Sequence, residues 1–456
     1  MDLKNSRNII FEYANLAENH KKHLGDLIDS YTAILEGGDI SSDAARKSRK
    51  ELTLYFFELY KALFFKTLEE ENRIPTEVFM FLYFGYIDEK LAGEENAQRL
   101  YEMAESMGMD EQMHIFPLYQ WLRLIYMGKK DPSVNEFSLD YAGYLRDEKK
   151  QGNISAEQEM SLFRNPKKRV EFEIDNMFKN ADRMMSGAVT TFCPFFNSQS
   201  VYKPLDQMLL SFDAIHKTLD VIRMLDYSLF YRETVYTNPE QGVDKEFIQV
   251  EVLPDIILMP TVGERSAMWQ EITGAKRTTP GRFILPILEA EELTKTLIKL
   301  CGEFRWELCK RIQGARWNDL TERSLTSDYC DYIDTYRKSR ELSPEAKERI
   351  KSAMSKHRNS YKEMFVDDYI QYISYESQGS LRLNKVSRTA LFTYCPFCSA
   401  IRKNLTANPQ YAKLIEIYNN KIGHKKHLFE ISLGRIEKAG HKIPDELAKH
   451  YAYLGM

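Results

Sequence analysis

Cysteine is scarce: six in 456 residues, at 193, 301, 309, 330, 395 and 398. That number and the irregular spacing exclude a disulfide scaffold, and the thiols are expected reduced. Turn formers are few as well. The 21 glycines and 15 prolines fall below the usual combined share of about 12 %, so long helices are favoured over many short strands. Charge of one sign is missing, with 63 Lys and Arg against 67 Asp and Glu and a formal charge of −4. A dedicated non-specific nucleic-acid binder carries a strong basic excess and is therefore not expected. Long apolar runs are absent too. The richest stretch, Leu52–Phe65, is broken by Glu58 and Lys61 and is shorter than the roughly 20 residues of a spanning helix. No secretory apolar run follows Met1-Asp2-Leu3-Lys4, so neither membrane insertion nor export is expected, and the cytoplasm is the expected compartment.

What is present is apolar and aromatic, at 43 % and 12 % of residues, which is too much for a disordered chain. Apolar residues recur at helical spacing over residues 1–130, beginning with Ile9, Ile10, Tyr13, Leu16, His20 and Leu24. A Gly37-Gly38-Asp39 turn, Pro75, Gly93 and Asp110 punctuate five expected helices. Residues 131–180 are rich in charge and predict a charged helical linker region. Residues 203–232 have helical spacing. Around 246–288 the pattern changes: Phe247, Ile248, Val250 and Val252 lead to Ile256-Ile257-Leu258-Met259 between prolines, and Phe283-Ile284-Leu285 follows. Short β-branched runs of this kind suit buried strands. The expected fold is mainly α, a multi-helix array with a small β insert around 246–288. Its expected parts are an N-terminal helical domain 1–130, the linker 131–180, and a helical domain 181–456 that holds the insert. In the last part, breaks fall near Ser343-Pro344, Gly379, Pro396, Asn408-Pro409 and Gly440.

Several constellations bear on chemistry. Cys395-Pro-Phe-Cys398 has the spacing of a dithiol or of half a zinc site, and His424 and His427 could complete a Cys2His2 set. Structural core cysteines, a zinc ion and a redox pair all remain open. The segment Thr191-Phe-Cys-Pro-Phe echoes Thr393-Tyr-Cys-Pro-Phe and predicts two similar apolar corners. The loop Gly274–Arg282 carries Lys276, Arg277, Thr278, Thr279 and Arg282, which together could cradle a phosphate. Arg305, Arg316 and Trp317 sit among Glu303, Glu307, Asp319 and Glu322, so an internal arginine–carboxylate and cation–π network is favoured there. Asp328, Asp331 and Asp334 repeat on one helix face. There is no nucleophile elbow, HExxH or GxGxxG.

The segments Leu253–Pro260, Lys276–Arg282 and Arg305–Tyr329 resemble an uncharacterised bacterial family whose members are sometimes labelled as cyclic-nucleotide-binding. Gly263-Glu264 followed by Arg277-Thr278-Thr279 is loosely similar to the phosphate cassette of cyclic-nucleotide modules. In that cassette a Gly-Glu binds the ribose and an arginine pairs with the phosphate. Here the gap from glycine to arginine is longer, Pro280 follows, and too few strands precede it for a β-roll. Two functions are carried forward. One is a cytoplasmic, non-catalytic scaffold or regulatory protein acting on a protein partner or as a homo-oligomer. The other is a module that binds a phosphate-bearing small molecule or nucleotide through the 274–282 loop.

Overall fold

The computed structural model describes residues 6–38, 42–69, 74–87, 93–106, 109, 114–135, 137, 139–184, 195–196, 204–263, 266–269, 280–289, 291–309 and 324–456. The chain is mainly α with small sheets, and it divides into two compact units. The first comprises 1–214, 255–270 and 282–292; the second comprises 215–254, 271–281 and 293–456. This division departs from the expected 1–130, 131–180 and 181–456, because the β insert is shared out between the units.

In the first unit, the strand Ile115–Pro117 pairs in parallel with Asp255–Gly263, which pairs in parallel with Arg282–Glu289. Ala267–Trp269 closes one edge antiparallel. Every residue of Asp255–Gly263 and Arg282–Glu289 is buried, as expected for parallel strands covered on both faces. That requirement explains their unbroken apolar runs. Helices Thr76–Phe84 and Leu118–Tyr126 pack against the central strand. Two expectations need correction here. The fifth expected helix, read as opening at Asp110 and ending near Gly128, is not continuous: Asp110 lies outside the described residues, and from His114 the chain forms the strand Ile115–Pro117 and then a short helix. The 131–180 region is no linker either. Its helix Pro166–Met184 carries a buried stripe of Val170, Ile174 and Met177 and packs on Leu118–Tyr126.

In the second unit, Tyr231–Asn238 and Val243–Glu251 form an antiparallel hairpin, so strand begins where helical spacing predicted helix to residue 232. The other elements are helices. Leu293–Cys309 packs against Tyr361–Ser374 closely enough that a Cβ on Gly302 would lie 3.0 Å from the Tyr369 ring. Helix starts follow capping rules. Ser343, Asn384 and Asn408 each accept backbone N–H bonds, and Pro344 and Pro409 take the first turns after Ser343 and Asn408. Gly379 and Gly440 supply the left-handed turns, each with φ of 83°. The hairpin, the long helix Pro409–Lys438 and the last helix Asp445–Gly455 enclose a separate small core of Val243, Ile248, Phe429, Leu433, Leu447 and Leu454.

Candidate functional site

A cleft of about 810 Å³ opens in the second unit among the helices Leu325–Thr335, Pro344–Lys356 and Tyr361–Ser374 and the loop before Lys385. This volume lies within the range of small-molecule sites. Asp368 belongs to its lining. The residue sits on the same helix face as Phe365, Tyr369 and Tyr372, all of which are buried, so a carboxyl interrupts an apolar stripe. Its Oδ2 accepts from Tyr329 Oη at 2.8 Å and from Ser387 Oγ at 2.9 Å. Its Oδ1 has no hydrogen-bond partner among the described residues. Burial pushes the carboxyl up to about 6, against the two hydroxyls that lower it, with Asp367 and Glu376 adding to the rise.

The hydroxyls around Asp368 form a relay. Asn384 Nδ2 donates to Tyr332 Oη at 2.7 Å and to Ser387 Oγ at 3.1 Å. Ser387 Oγ also lies 3.2 Å from Tyr332 Oη. One hydroxyl proton serves one acceptor at a time, so Ser387 Oγ donates either to Asp368 Oδ2 or to Tyr332 Oη. Asn384 is held by its own role as the cap of Lys385–Tyr394, where Oδ1 accepts from Val386 N and Ser387 N.

Beneath this loop lies a clamp. Glu376 is fully buried and pairs with Arg388 through Nε at 2.6 Å and Nη2 at 3.0 Å. It also accepts from Tyr411 Oη, Arg382 N and Leu383 N. Burial alone would raise this carboxyl; Arg388, the Leu383 amide and Tyr411 hold it below its ordinary value. Arg388 in turn donates to Leu383 O at 2.7 Å. The clamp therefore fixes the residues that carry Asn384 and Ser387 into the cleft. Around the mouth, Asp367 takes His357 Nε2 and Lys356 Nζ, both at 2.8 Å, and Arg349 and Arg382 add exposed cations to the lining.

The residues singled out from sequence fall elsewhere. Lys276, Arg277, Thr278, Thr279, Arg316 and Trp317 lie outside the described residues, as do Glu264 and Thr191 to Pro194. Arg282 is buried in the first unit. Its guanidinium stands 4.7 Å over the Trp121 ring, donates to Asp131 O at 2.7 Å and bonds Ser133 Oγ. Nearby, Glu173 takes Trp121 Nε1 and both the amide and the hydroxyl of Ser133, and Asp255 takes His114 Nδ1 at 3.0 Å and Lys130 Nζ at 2.8 Å. Arg305 is buried in the second unit against Asp226, Ser228 and, through Asp226, Tyr369. An internal arginine–carboxylate pair is present at Arg305, with Asp226 from a distant part of the chain as a partner. Arg282 and Arg305 are thus each buried within their own unit.

Cys395 is buried and Cys398 half-buried, both as free thiols, while His424 and His427 are exposed on the long helix. The structure does not bring the four together: no group of three or more His, Cys, Asp or Glu is placed to hold a metal ion among the described residues. Asp328 and Asp334 of the acidic face instead accept from Tyr394 Oη and Tyr361 Oη. Asp368, Asn384 and Ser387 are not among the residues that the sequence singles out. The usable signal was the carboxyl placed at i+3 from Phe365 and one residue before Tyr369 on an otherwise apolar stripe.

Residues 314–453 match a family model described as a domain of unknown function, DUF8509. The Asp368 relay and the Glu376–Arg388 clamp both lie within that segment. No curated protein and no solved structure matches the chain. No helix among the described residues is long and apolar enough to cross a membrane.

Proposed function

We propose that the second unit is a small-molecule-binding module, and that its cleft takes a polar, phosphate- or carboxylate-bearing ligand. The observation that carries this is the state of Asp368: one carboxylate oxygen is saturated by two hydroxyls, while the other lies open in a cleft of ligand size. Glu376 in the same unit, by contrast, has both oxygens engaged. A ligand N–H or O–H donates to Asp368 Oδ1, and Arg349 and Arg382 meet the anionic end. The phosphate-bearing class expected from sequence is kept, and its site moves from the 274–282 loop to this cleft. Sparse cysteines, free among the described residues, support a cytoplasmic setting.

Thermal melts against a panel of nucleotides, sugar phosphates and small carboxylates test the proposal. A raised melting temperature with at least one compound is expected, reduced in Arg349→Ala and abolished in Asp368→Asn. No shift across the panel contradicts it. A second role, contact with a protein partner, is supported by exposed apolar pairs three residues apart: Met160 and Phe163 on one helix, Val221 and Met224 on another. Sedimentation of the wild type against Met160→Lys/Phe163→Lys and Val221→Lys/Met224→Lys checks it; a monomer unchanged by either pair argues against self-association.

A further inference from the structure

A second cavity, of about 680 Å³, lies elsewhere in the second unit, bounded by the long helix, the hairpin, the helix Lys385–Tyr394 and the last helix. The long helix gives it one continuous stripe of Leu414, Tyr418, Lys421, Lys425, Leu428 and Ser432, spaced three or four residues apart so that all face one way. From Leu414 to Ser432 this stripe runs about 27 Å.

The chemistry differs along its length. At the Leu414 end the walls are Phe392, Pro396, Ile417 and the rings of Tyr227 and Tyr418, whose hydroxyls bond each other. This end is apolar, with its polar atoms turned on themselves. In the middle stand Lys421 and Lys425, one helical turn apart and both exposed at the opening. At the far end Glu246 is engaged by Ser432 Oγ, and Glu233 also lines the hairpin side. Ser432 is eleven residues from Lys421, roughly 16 Å along the axis. His450, also in the lining, accepts Gln249 N at Nδ1. Burial and Lys425 hold its imidazole down to about 4, so it contributes a neutral ring rather than a third cation.

We propose that this cavity binds a medium-chain organic anion, typified by a monocarboxylate of eight to ten carbons. The carboxylate pairs with Lys421 and Lys425, and the chain lies along the Leu414 end. The seven residues from Lys421 back to Leu414 span about 10 Å, which matches such a chain. The glutamates of the hairpin oppose the reverse orientation, since they would face the anion. This site is separate from the Asp368 cleft, and its failure leaves that proposal untouched.

The test uses the full chain and isothermal titration with octanoate, decanoate, decanol and decyltrimethylammonium. Decanoate is expected to bind saturably, about tenfold tighter than octanoate, because each buried methylene is worth roughly three- to fourfold. Decyltrimethylammonium is expected to bind at least tenfold more weakly than decanoate. In Lys421→Gln/Lys425→Gln, two exposed positions whose change does not touch the core, decanoate affinity falls at least tenfold while that of decanol is unchanged. Ile417→Trp, which fills the apolar end from an exposed position, blocks both. Equal binding of the cationic and anionic chains, no loss in the double glutamine variant, or no saturable decanoate binding each overturns the proposal.

Discussion

Two carboxylates, Glu173 of the first unit and Asp368 of the second, are satisfied in opposite ways. In the first unit, Arg282, Glu173, Asp255 and Lys130 form a polar cluster beside the sheet, with Asp255 and Arg282 at strand starts. Glu173 meets an indole N–H, an amide and a hydroxyl across both oxygens, and Asp255 meets two basic side chains through Oδ1. In the second unit the Glu376 clamp is equally saturated, yet the loop it holds delivers Asn384 and Ser387 to a carboxyl that keeps one oxygen open. Saturated buried charge fixes backbone; partly satisfied charge at a cleft is available to a ligand. Position within the fold agrees with this. The first unit's cluster sits at the starts of parallel strands, whereas ligands of open α/β sheets gather at their carboxyl ends.

The comparison breaks most visibly if a saturated acid is removed. Glu376→Ala leaves Arg388 buried without its partner, and a loss of about 3–5 kcal/mol is expected, read by chemical denaturation. Glu376→Gln should lose less, because the amide oxygen still accepts. In the first unit, Glu173→Ala strands the Trp121 and Ser133 donors and should cost about 2–3 kcal/mol without altering any binding in the second unit. A change in ligand response from Glu173→Ala would contradict the assignment of that cluster to stability. Gly302→Ala should cost about 1–3 kcal/mol, because its methyl meets the Tyr369 ring at 3.0 Å; the hydroxyl of that tyrosine also donates to Asp226.

The smallest effect on stability is expected at Asp368, and there the sign is informative. Its carboxyl is raised to about 6 in the folded protein, so between roughly pH 4 and 6 the native state holds a proton that the unfolded chain releases. This group therefore favours the fold increasingly as pH falls through 6 and disfavours it, as an anion, above 6. Asp368→Asn should melt no lower than the wild type at pH 7 and show a flatter dependence between pH 7 and 4. Identical slopes in the two proteins would mean that the carboxyl titrates as an ordinary surface acid.

Much of the fold is legible along the chain because its punctuation is local. Ser343-Pro344, Asn408-Pro409, Gly379 and Gly440 end or start elements where capping and left-handed turns require those residues. The strand Ile115–Pro117 is not legible: three residues carry no period, and the partner that makes them a strand is 140 residues away. The break at Asn15, with φ of 55°, splits an apolar stripe that reads as one helix through Leu24. The charges of 131–180 hide a buried stripe whose partners come from Leu118–Tyr126. The same reasoning covers the site. Asp368 betrays itself by interrupting an apolar face, but Tyr329 and Ser387 join it across 39 and 19 residues, and no spacing rule links them.

The central claim is that a ligand meets the open oxygen of Asp368, and proton linkage tests it most directly. Calorimetric titration at pH 6 in two buffers of different ionisation heat counts the protons exchanged on binding. A ligand that donates to the ionised carboxylate should release a fraction of a proton from the wild type. Arg349→Ala should bind more weakly with the same linkage, and in Asp368→Asn the release should vanish along with most of the affinity. Buffer-independent heats in the wild type, or proton release that persists in Asp368→Asn, would contradict the claim.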